Sequence, residues 1–298
     1  MRSRAASAWL KFWGVRGSVP TPGPATVHYG GNTSCVEVRV GETIVILDAG
    51  TGLRPLGKAL LKEFDGKPLQ LTLLLTHTHW DHIQGLPFFQ PVYETQNTLR
   101  ILGREGARHG LETVLSNQME SPFFPIGWSE VPANITIQEF RENALKIGPV
   151  RVEVCRASHP GICVGYRLFT PKGSVTFFPD NEVRNGLSSS ETQEQPAELL
   201  TTASMIRRFI HGTDVLIMDA QYDRAEYQKH AGWGHGCVED VVHLAAHAKV
   251  KKLFLFHHDP EHDDARISKM LARARTVARK LKSNLTVEAA REGRKVNL

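Results

Sequence analysis

The sequence predicts an α/β protein built of stacked layers, and three observations carry that expectation. Apolar runs of strand length and periodic segments of helix length interleave in both halves of the 298 residues. From Thr202 onward helix and strand alternate. Hydrophobic residues make up 41% of the chain, enough for a large packed core, while length alone leaves one large domain or two small ones open.

The elements follow in order. "SCVEVRV" (34–40) and "ETIVILDAG" (42–50) alternate or run apolar at strand length, separated by Gly41. "LRPLGKALLKE" (53–63) has helical spacing, and "LQLTLLLTH" (69–77) is apolar enough for a strand buried on both faces. "TLRILG" (98–103) predicts a short strand and "ARHGLETVLSNQ" (107–118) a helix. "ITIQEF", "VRVEVCRA", "ICVGYRLF" and "SVTFFPD" supply further strands, the last two joined through the turn "TPKG" (170–173). Beyond them "MIRRFIHG" predicts helix, "DVLIMDA" strand, "VEDVVHLAAHA" helix, "KKLFLFHH" strand, and residues 264–282 a long basic helix. No repeat of solenoid length is visible. The polar run 188–195 ("SSSETQEQ") predicts a surface loop, with part of a lid as the second reading.

Composition narrows the class. A formal charge of +5 and a pI near 9.0 suit anionic partners, but no basic stripe of the kind that binds nucleic acid stands out. Cys35, Cys155, Cys163 and Cys237 lie far apart without a Cys-x-x-Cys pair, so reduced, mostly buried thiols are expected. The opening "AWLKFWGVRG" interrupts any apolar core with charges, and no stretch approaches membrane-spanning length. A soluble cytoplasmic protein is expected.

The chemistry concentrates at the end of the third apolar run, in "LLLTHTHWDHIQG" (73–85). Side chains alternate along a strand, which puts His77 and His79 on one face and Thr78 on the other. Asp81 and His82 follow on the turn into a helix. A histidine at a strand end is ordinarily structural, but four ligand-type residues in six positions predict a metal site. Imidazole and carboxylate donors suit zinc, manganese or iron, and the lack of cysteine ligands argues against a structural zinc knot.

His77-x-His79-x-Asp81-His82 after an apolar strand resembles the signature of the metallo-β-lactamase-fold hydrolases. "LDAG" (47–50), "SHPG" (158–161), "FPDN" (178–181) and "LFLFHH" (253–258) resemble further family segments, so the likeness spans most of the chain. It implies a single domain over 1–298, a four-layer αββα sandwich with mixed sheets, and two divalent metal ions, zinc before manganese or iron. One metal would sit on His77, His79 and His159, the second on Asp81, His82 and His257, with Asp180 between them. His257 is preferred over His258, which would pair with Asp259 instead. Asp48 would stand beside the site, holding a turn through backbone amides.

Two metals about 3.5–4 Å apart can hold a hydroxide and stabilise in-line displacement at phosphorus, but the fold does not choose the bond that is broken. The stretch 232–258, "GWGHGCVEDVVHLAAHAKVKKLFLFHH", resembles the ribonuclease Z and cyclic-nucleotide phosphodiesterase branch. The resemblance implies a catalytic group of Asp81, His235 and Asp219, in which His235 protonates the leaving oxygen and Asp219 supports it. Asp219 stands where ribonuclease Z has glutamate, a side chain one methylene longer. Residues 160–179 are filled by a hairpin, leaving no room for the tRNA-holding arm of bacterial ribonuclease Z. The expected activity is therefore hydrolysis of a cyclic-nucleotide or other small nucleotide-like diester by a metal-bridging hydroxide. The N-terminal "GVRGSVPTPG" and "YGGNTSCVEV", with "LFHHDPEHDD" near the end, resemble a phosphodiesterase-like bacterial group of these hydrolases.

The alternatives are a carboxyl-ester, lactone or thioester hydrolase, for which Tyr222 is the tyrosine near the site, an RNA endonuclease, and a metal-loaded sensor without turnover. RNA is a secondary partner, and a homodimer is compatible with the fold. Among other residues, "MESPFFPIGW" (119–128) is read either as a base-stacking mouth or as apolar bulk at the sheet edge. Arg16 is read either as a phosphate contact or as an exposed turn residue. His243 and His247 are assigned to helix packing and surface, and the basic helix to an outer, solvated position.

Overall fold

A computed structural model of the chain describes residues 7–106, 109–183 and 202–298. The first half opens with β1 (Ala8–Gly14), then the hairpin of β2 (Cys35–Val40) and β3 (Thr43–Leu47). Helix α1 (Leu53–Phe64) leads into β4 (Gln70–Leu75), and the single turn α2 (Trp80–Ile83) follows it. Strand β5 (Thr98–Arg104), α3 (Leu111–Asn117) and β6 (Asn134–Phe140) complete this half. The second half begins with a meander of β7 (Ala144–Ile147), β8 (Val150–Arg156), β9 (Val164–Thr170) and β10 (Gly173–Phe178). Then come α4 (Thr202–Ile210), β11 (Val215–Asp219), α5 (Arg224–His230), α6 (Val238–His247) and β12 (Lys252–Phe256). Helix α7 (Asp264–Lys280), β13 (Thr286–Ala289) and β14 (Lys295–Asn297) end the chain.

The strands form two sheets, ordered β14-β1-β2-β3-β4-β5-β6 and β7-β8-β9-β10-β11-β12-β13. Each sheet runs antiparallel through its first four strands and parallel through the rest, so both are mixed and built to one plan. Strand alternation sorts the apolar residues between layers. Val36, Val38, Val45 and Leu47 of the first sheet meet Val175, Phe177, Phe254 and Phe256 of the second. On the outer faces, Ile44, Ile46 and Leu73 pack with Leu53, Leu56 and Leu60 of α1. Leu216, Met218, Leu253 and Leu255 pack with Val241, Leu244, Met270 and Ala274 of α6 and α7. The result is the four-layer αββα sandwich expected.

Several elements depart from the sequence reading. Strands β1, β7, β13 and β14 and helix α5 were not anticipated. β1 carries a clear two-residue alternation, with Ala8, Leu10 and Phe12 turned to the core, although Lys11 interrupts the apolar run. Helix α3 begins at Leu111, because Gly110 at φ +77° breaks helical geometry just ahead of it. β4 ends at Leu75, so His77 and His79 lie beyond the sheet and converge through the loop rather than by strand alternation. The run 188–195 lies outside the described residues. All four cysteines are free, and Cys35, Cys163 and Cys237 are buried. No helix among the described residues is long and apolar enough to cross a membrane.

Phe254 is fully buried between the sheets, its ring centroid 5.0 Å from that of Phe12. We expect Phe254→Ala to cost about 3–5 kcal/mol, read as a lower denaturant midpoint. Phe123→Ala, at a side chain 79% exposed, is expected to stay within about 0.5 kcal/mol.

Candidate metal centre

The parallel strands of both sheets end at a common rim, where ligands gather in α/β folds. Asp48 follows β3 and His77 follows β4. Asp180 lies beyond β10, Asp219 ends β11 and His257 follows β12, while His159 stands on the turn after β8. Asp48 and His257 both adopt left-handed backbone, at φ +60° and +58°. Such conformations cost energy in non-glycine residues and persist where the surroundings over-determine them.

Four overlapping groups result. The donor atoms of His77, His79 and His159 lie within 4.8 Å of one another, and so do those of Asp81, His82 and His257. Asp180 joins His77 and His82 in a third group, and Asp219, His235 and His257 in a fourth, which leaves it between the first two. Its Oδ2 is 2.9 Å from His82 Nε2, and its Oδ1 is 3.3 Å from His257 Nε2 and 3.8 Å from His159 Nε2. Asp81 Oδ2 is 3.1 Å from His257 Nε2 and accepts the Ser18 N–H at 2.7 Å.

The electrostatics divide the cluster. Burial holds His77 well below its ordinary pKa, and burial first of all lowers His79 and His159 as well. At His82 burial opposes the charge, yet Asp81, Asp180 and Asp48 outweigh it and raise the pKa. His257 behaves alike: burial opposes, and Asp180, Asp81 and Asp219 push it up to about 9. Burial also opposes ionisation of Asp81 and Asp180, but the histidines around them hold both well below the usual carboxylate range. This half of the cluster therefore demands positive charge.

A family profile described as a beta-lactamase superfamily domain matches residues 43–258. The chain belongs to the beta-lactamase superfamily. A ribonuclease Z of Picrophilus torridus is 22% identical over 293 residues, covering 87% of this chain and 88% of that protein. The metallo-beta-lactamase fold protein YhfI from Bacillus subtilis superposes with a TM-score of 0.70 at 17% identity, over 98% of this chain and all of that one. Unliganded yeast PDE1 does so at 0.68 and 13% identity, over 98% of this chain and 100% of its own. At such identities the structures establish the fold alone.

Divalent metal binding goes with this superfamily's fold, and the donor set fits it. Among the described residues buried His77 Nε2 makes no hydrogen bond, and buried His82 Nε2 and Asp180 Oδ2, though 2.9 Å apart, are not aligned for one. Unpaired buried donors and acceptors are costly, so lone pairs converging on one point fit a cation. The far ring nitrogens, by contrast, are held. His82 Nδ1 is 2.7 Å from Asp48 Oδ2, and His159 Nδ1 donates to the Gly234 carbonyl at 3.0 Å. Thr76 Oγ1 is 3.1 Å from His77 Nδ1 and also contacts both oxygens of Asp48. Two glycines make room for these rings. A Cβ on Gly17 would come 2.1 Å from the His257 ring, and one on Gly234 would come 2.5 Å from His159 Nδ1.

His235 Nδ1 lies 2.9 Å from Asp219 Oδ2 and 3.7 Å from Asp180 Oδ1, so the aspartate reaches its histidine despite the missing methylene. His235 lines a cleft of about 720 Å³ between α5, the 231–234 turn and the start of α7.

Other expectations are corrected. His258 does not pair with Asp259; its Nε2 donates to the Ala290 carbonyl at 2.9 Å, away from the cluster. Arg16 is neither exposed nor free for phosphate. It is buried and donates to the carbonyls of Gly30, Asp259 and His262, clamping the loop after β1 to the loop after β12. In the 119–128 stretch Met119 is buried, while the Phe124 ring meets Phe88 edge-on at 5.5 Å. Tyr222 hydrogen-bonds Gln221 at 3.2 Å and stacks on His230. His243 and His247 stack on each other along α6. The basic helix α7 is neutralised in part, with Arg266 paired to Glu226 and Arg273 to Glu239. Gln221 went unnoticed, although a polar residue directly after the "LIMDA" strand end was its signal.

His258 is fully enclosed, and burial pushes its pKa from 6.5 down to about 3. Its neutral form thus stabilises the fold fully above pH 6.5, and that contribution is lost as the pH falls toward 3. At 1.36 kcal/mol per pKa unit the span is on the order of 5 kcal/mol. We expect His258→Gln to flatten the acid limb of stability in this window, measured by urea unfolding of metal-free protein at stepped pH; an unchanged limb contradicts it.

Proposed function

We propose that this protein is a dinuclear metal-dependent phosphodiester hydrolase acting on a cyclic-nucleotide or other nucleotide-like diester. His77, His79 and His159 would hold one metal and Asp81, His82 and His257 the other, with Asp180 between them. Bound there, divalent ions supply Lewis-acid neutralisation at a phosphoryl oxygen and acidify a water. The first set of three histidines and the carboxylate-bearing second set support this division.

The observation that carries the phosphodiester reading is the Asp219–His235 pair beside the cluster. The Asp219 carboxylate, accepting from Nδ1–H, fixes the tautomer and the orientation of the ring. Nε2, which makes no hydrogen bond among the described residues, is then the atom that would pass a proton to the leaving oxygen. Because His235 lines the cleft, the leaving group would lie on that side of the cluster. Ser18 N–H orients Asp81 from the opposite loop.

RNA is the second reading, favoured by the relative named ribonuclease Z. Against it, β9 and β10 are joined by a tight turn at Pro171 and Lys172, so no arm projects between His159 and Asp180.

The test is turnover by purified, metal-assayed protein of cyclic nucleotides, a chromogenic diester, a lactone and a thioester. His235→Ala is expected to lower kcat on a diester by about 10²–10⁴-fold with metal content unchanged. Turnover of the lactone alone, indifferent to His235→Ala, would falsify the reading.

Metal loading should depend on pH in a stated direction. Without metal, His257 titrates at about 9 and carries a proton below that value. That proton competes with the cation, so apparent affinity at this site falls by about tenfold for each pH unit of acidification. Chelator competition between pH 6.5 and 8.5 is expected to show tighter binding at the alkaline end; a flat profile would contradict it.

A further inference from the structure

Each ligand-type histidine needs its far nitrogen held if the near one is to face a metal. His82 leans on a carboxylate, His159 on a backbone carbonyl and His77 on a threonine hydroxyl. His257 leans on the side-chain amide of Gln221, a group that can be turned either way round.

We propose that Gln221 is the positioning residue that sets the tautomer of His257, and that Asp259 sets which way Gln221 faces. The inference rests on the two-metal reading above. Gln221 lies just beyond β11 and is 3% exposed. Its Oε1 is 3.0 Å from His257 Nδ1, and its Nε2 is 2.8 Å from Asp259 Oδ2 and 3.2 Å from the Tyr222 hydroxyl.

The orientation follows from the inventory of donors. An ionised carboxylate has no proton to give, so the amide nitrogen must face Asp259. The amide oxygen is then forced toward His257, and since that oxygen only accepts, Nδ1 must carry the hydrogen. A neutral imidazole with its proton on Nδ1 leaves Nε2 bare. Nε2 is the atom that faces Asp81 Oδ2 at 3.1 Å and Asp180 Oδ1 at 3.3 Å. A bare nitrogen among carboxylate oxygens is repelled unless a cation stands between them. Asp259 thus acts on the second metal through two hydrogen bonds and one choice of tautomer.

Packing leaves the ring little other guidance. His257 is stacked between His82, 5.6 Å away at 13°, and His235, 4.9 Å away at 17°. Together with the closely apposed Gly17, these neighbours fix the plane of the ring. They do not fix which nitrogen carries the hydrogen. That choice falls to the amide.

The experiment measures zinc stoichiometry and both zinc affinities by chelator competition. Circular dichroism and thermal unfolding of the metal-free proteins report on folding. Gln221→Leu removes the acceptor and is expected to weaken one zinc by about 10–100-fold while the other is unchanged. Asp259→Asn releases the constraint on the amide and is expected to weaken the same zinc to a smaller extent. Gln221→Glu alone sets two carboxylates against each other. Combined with Asp259→Asn it restores a donor facing an acceptor, and is expected to recover the weaker zinc to within a few-fold of wild type. A merely structural role would not yield that rescue. Unchanged zinc affinities in both Gln221→Leu and Asp259→Asn, or a pair no better than Gln221→Glu alone, overturn the relay while leaving the two-metal reading intact. A wild-type protein that binds fewer than two zinc ions overturns the two-metal reading, and this inference with it.

Discussion

The apolar layer between the two sheets is the contact on which the rest depends. Phe12 packs against Phe254 and Phe256, and Phe177 packs edge-on against Phe256, with branched aliphatic residues around them. Burial of this kind yields about 25 cal/mol per Å² of apolar surface but has no direction of its own. Direction comes from the parallel strands. Once the sheets are face to face, the ends of β3 and β4 on one side and β10, β11 and β12 on the other deliver polar side chains to a shared rim.

That rim carries an electrostatic load. Asp48, Asp81, Asp180 and Asp219 are all buried, and a buried carboxylate is tolerated only when donors or cations surround it. Asp48 meets the demand within the protein, taking hydrogen bonds from Thr76 and Ser34 and facing His82 Nδ1 at 2.7 Å. Asp219 takes the Asn181 and Gln221 amides and faces His235. Asp180 has no comparable arrangement. Its Oδ2 is left without a hydrogen bond, which makes it the point where the cluster is least satisfied by protein alone.

Around this centre, loops distant in sequence are bound into one wall. Arg16 joins the loop after β1 to the loop after β12 through three carbonyl oxygens, which places Ser18 against Asp81 and Gly17 against His257. Glu292 receives Asn32 through both its backbone and its side-chain amide, extending the wall to the last strands. The cleft beside His235 opens between this wall and α5. Backbone rigidity and chemistry are therefore carried by different residues of the same short loops.

Read by itself, the chain determines its layers and most of its candidate ligands. Apolar runs report burial on both faces of a strand, and four ligand-type residues within 77–82 are dense enough to stand out from background. Strand β13 was missed because it is four residues long and carries a charge, a local pattern that pairing with β12 overrides, whereas β1 was legible in its alternation despite Lys11. The buried clamp made by Arg16 and the amide of Gln221 were not legible. Each depends on which groups lie opposite across 36 to 246 residues of chain, and a hydrogen-bond partner at that separation leaves no periodic trace in sequence. Local spacing names the residue types; only the packing of the two sheets assigns each nitrogen and oxygen its neighbour, because directional bonds form after the strand ends have been brought together.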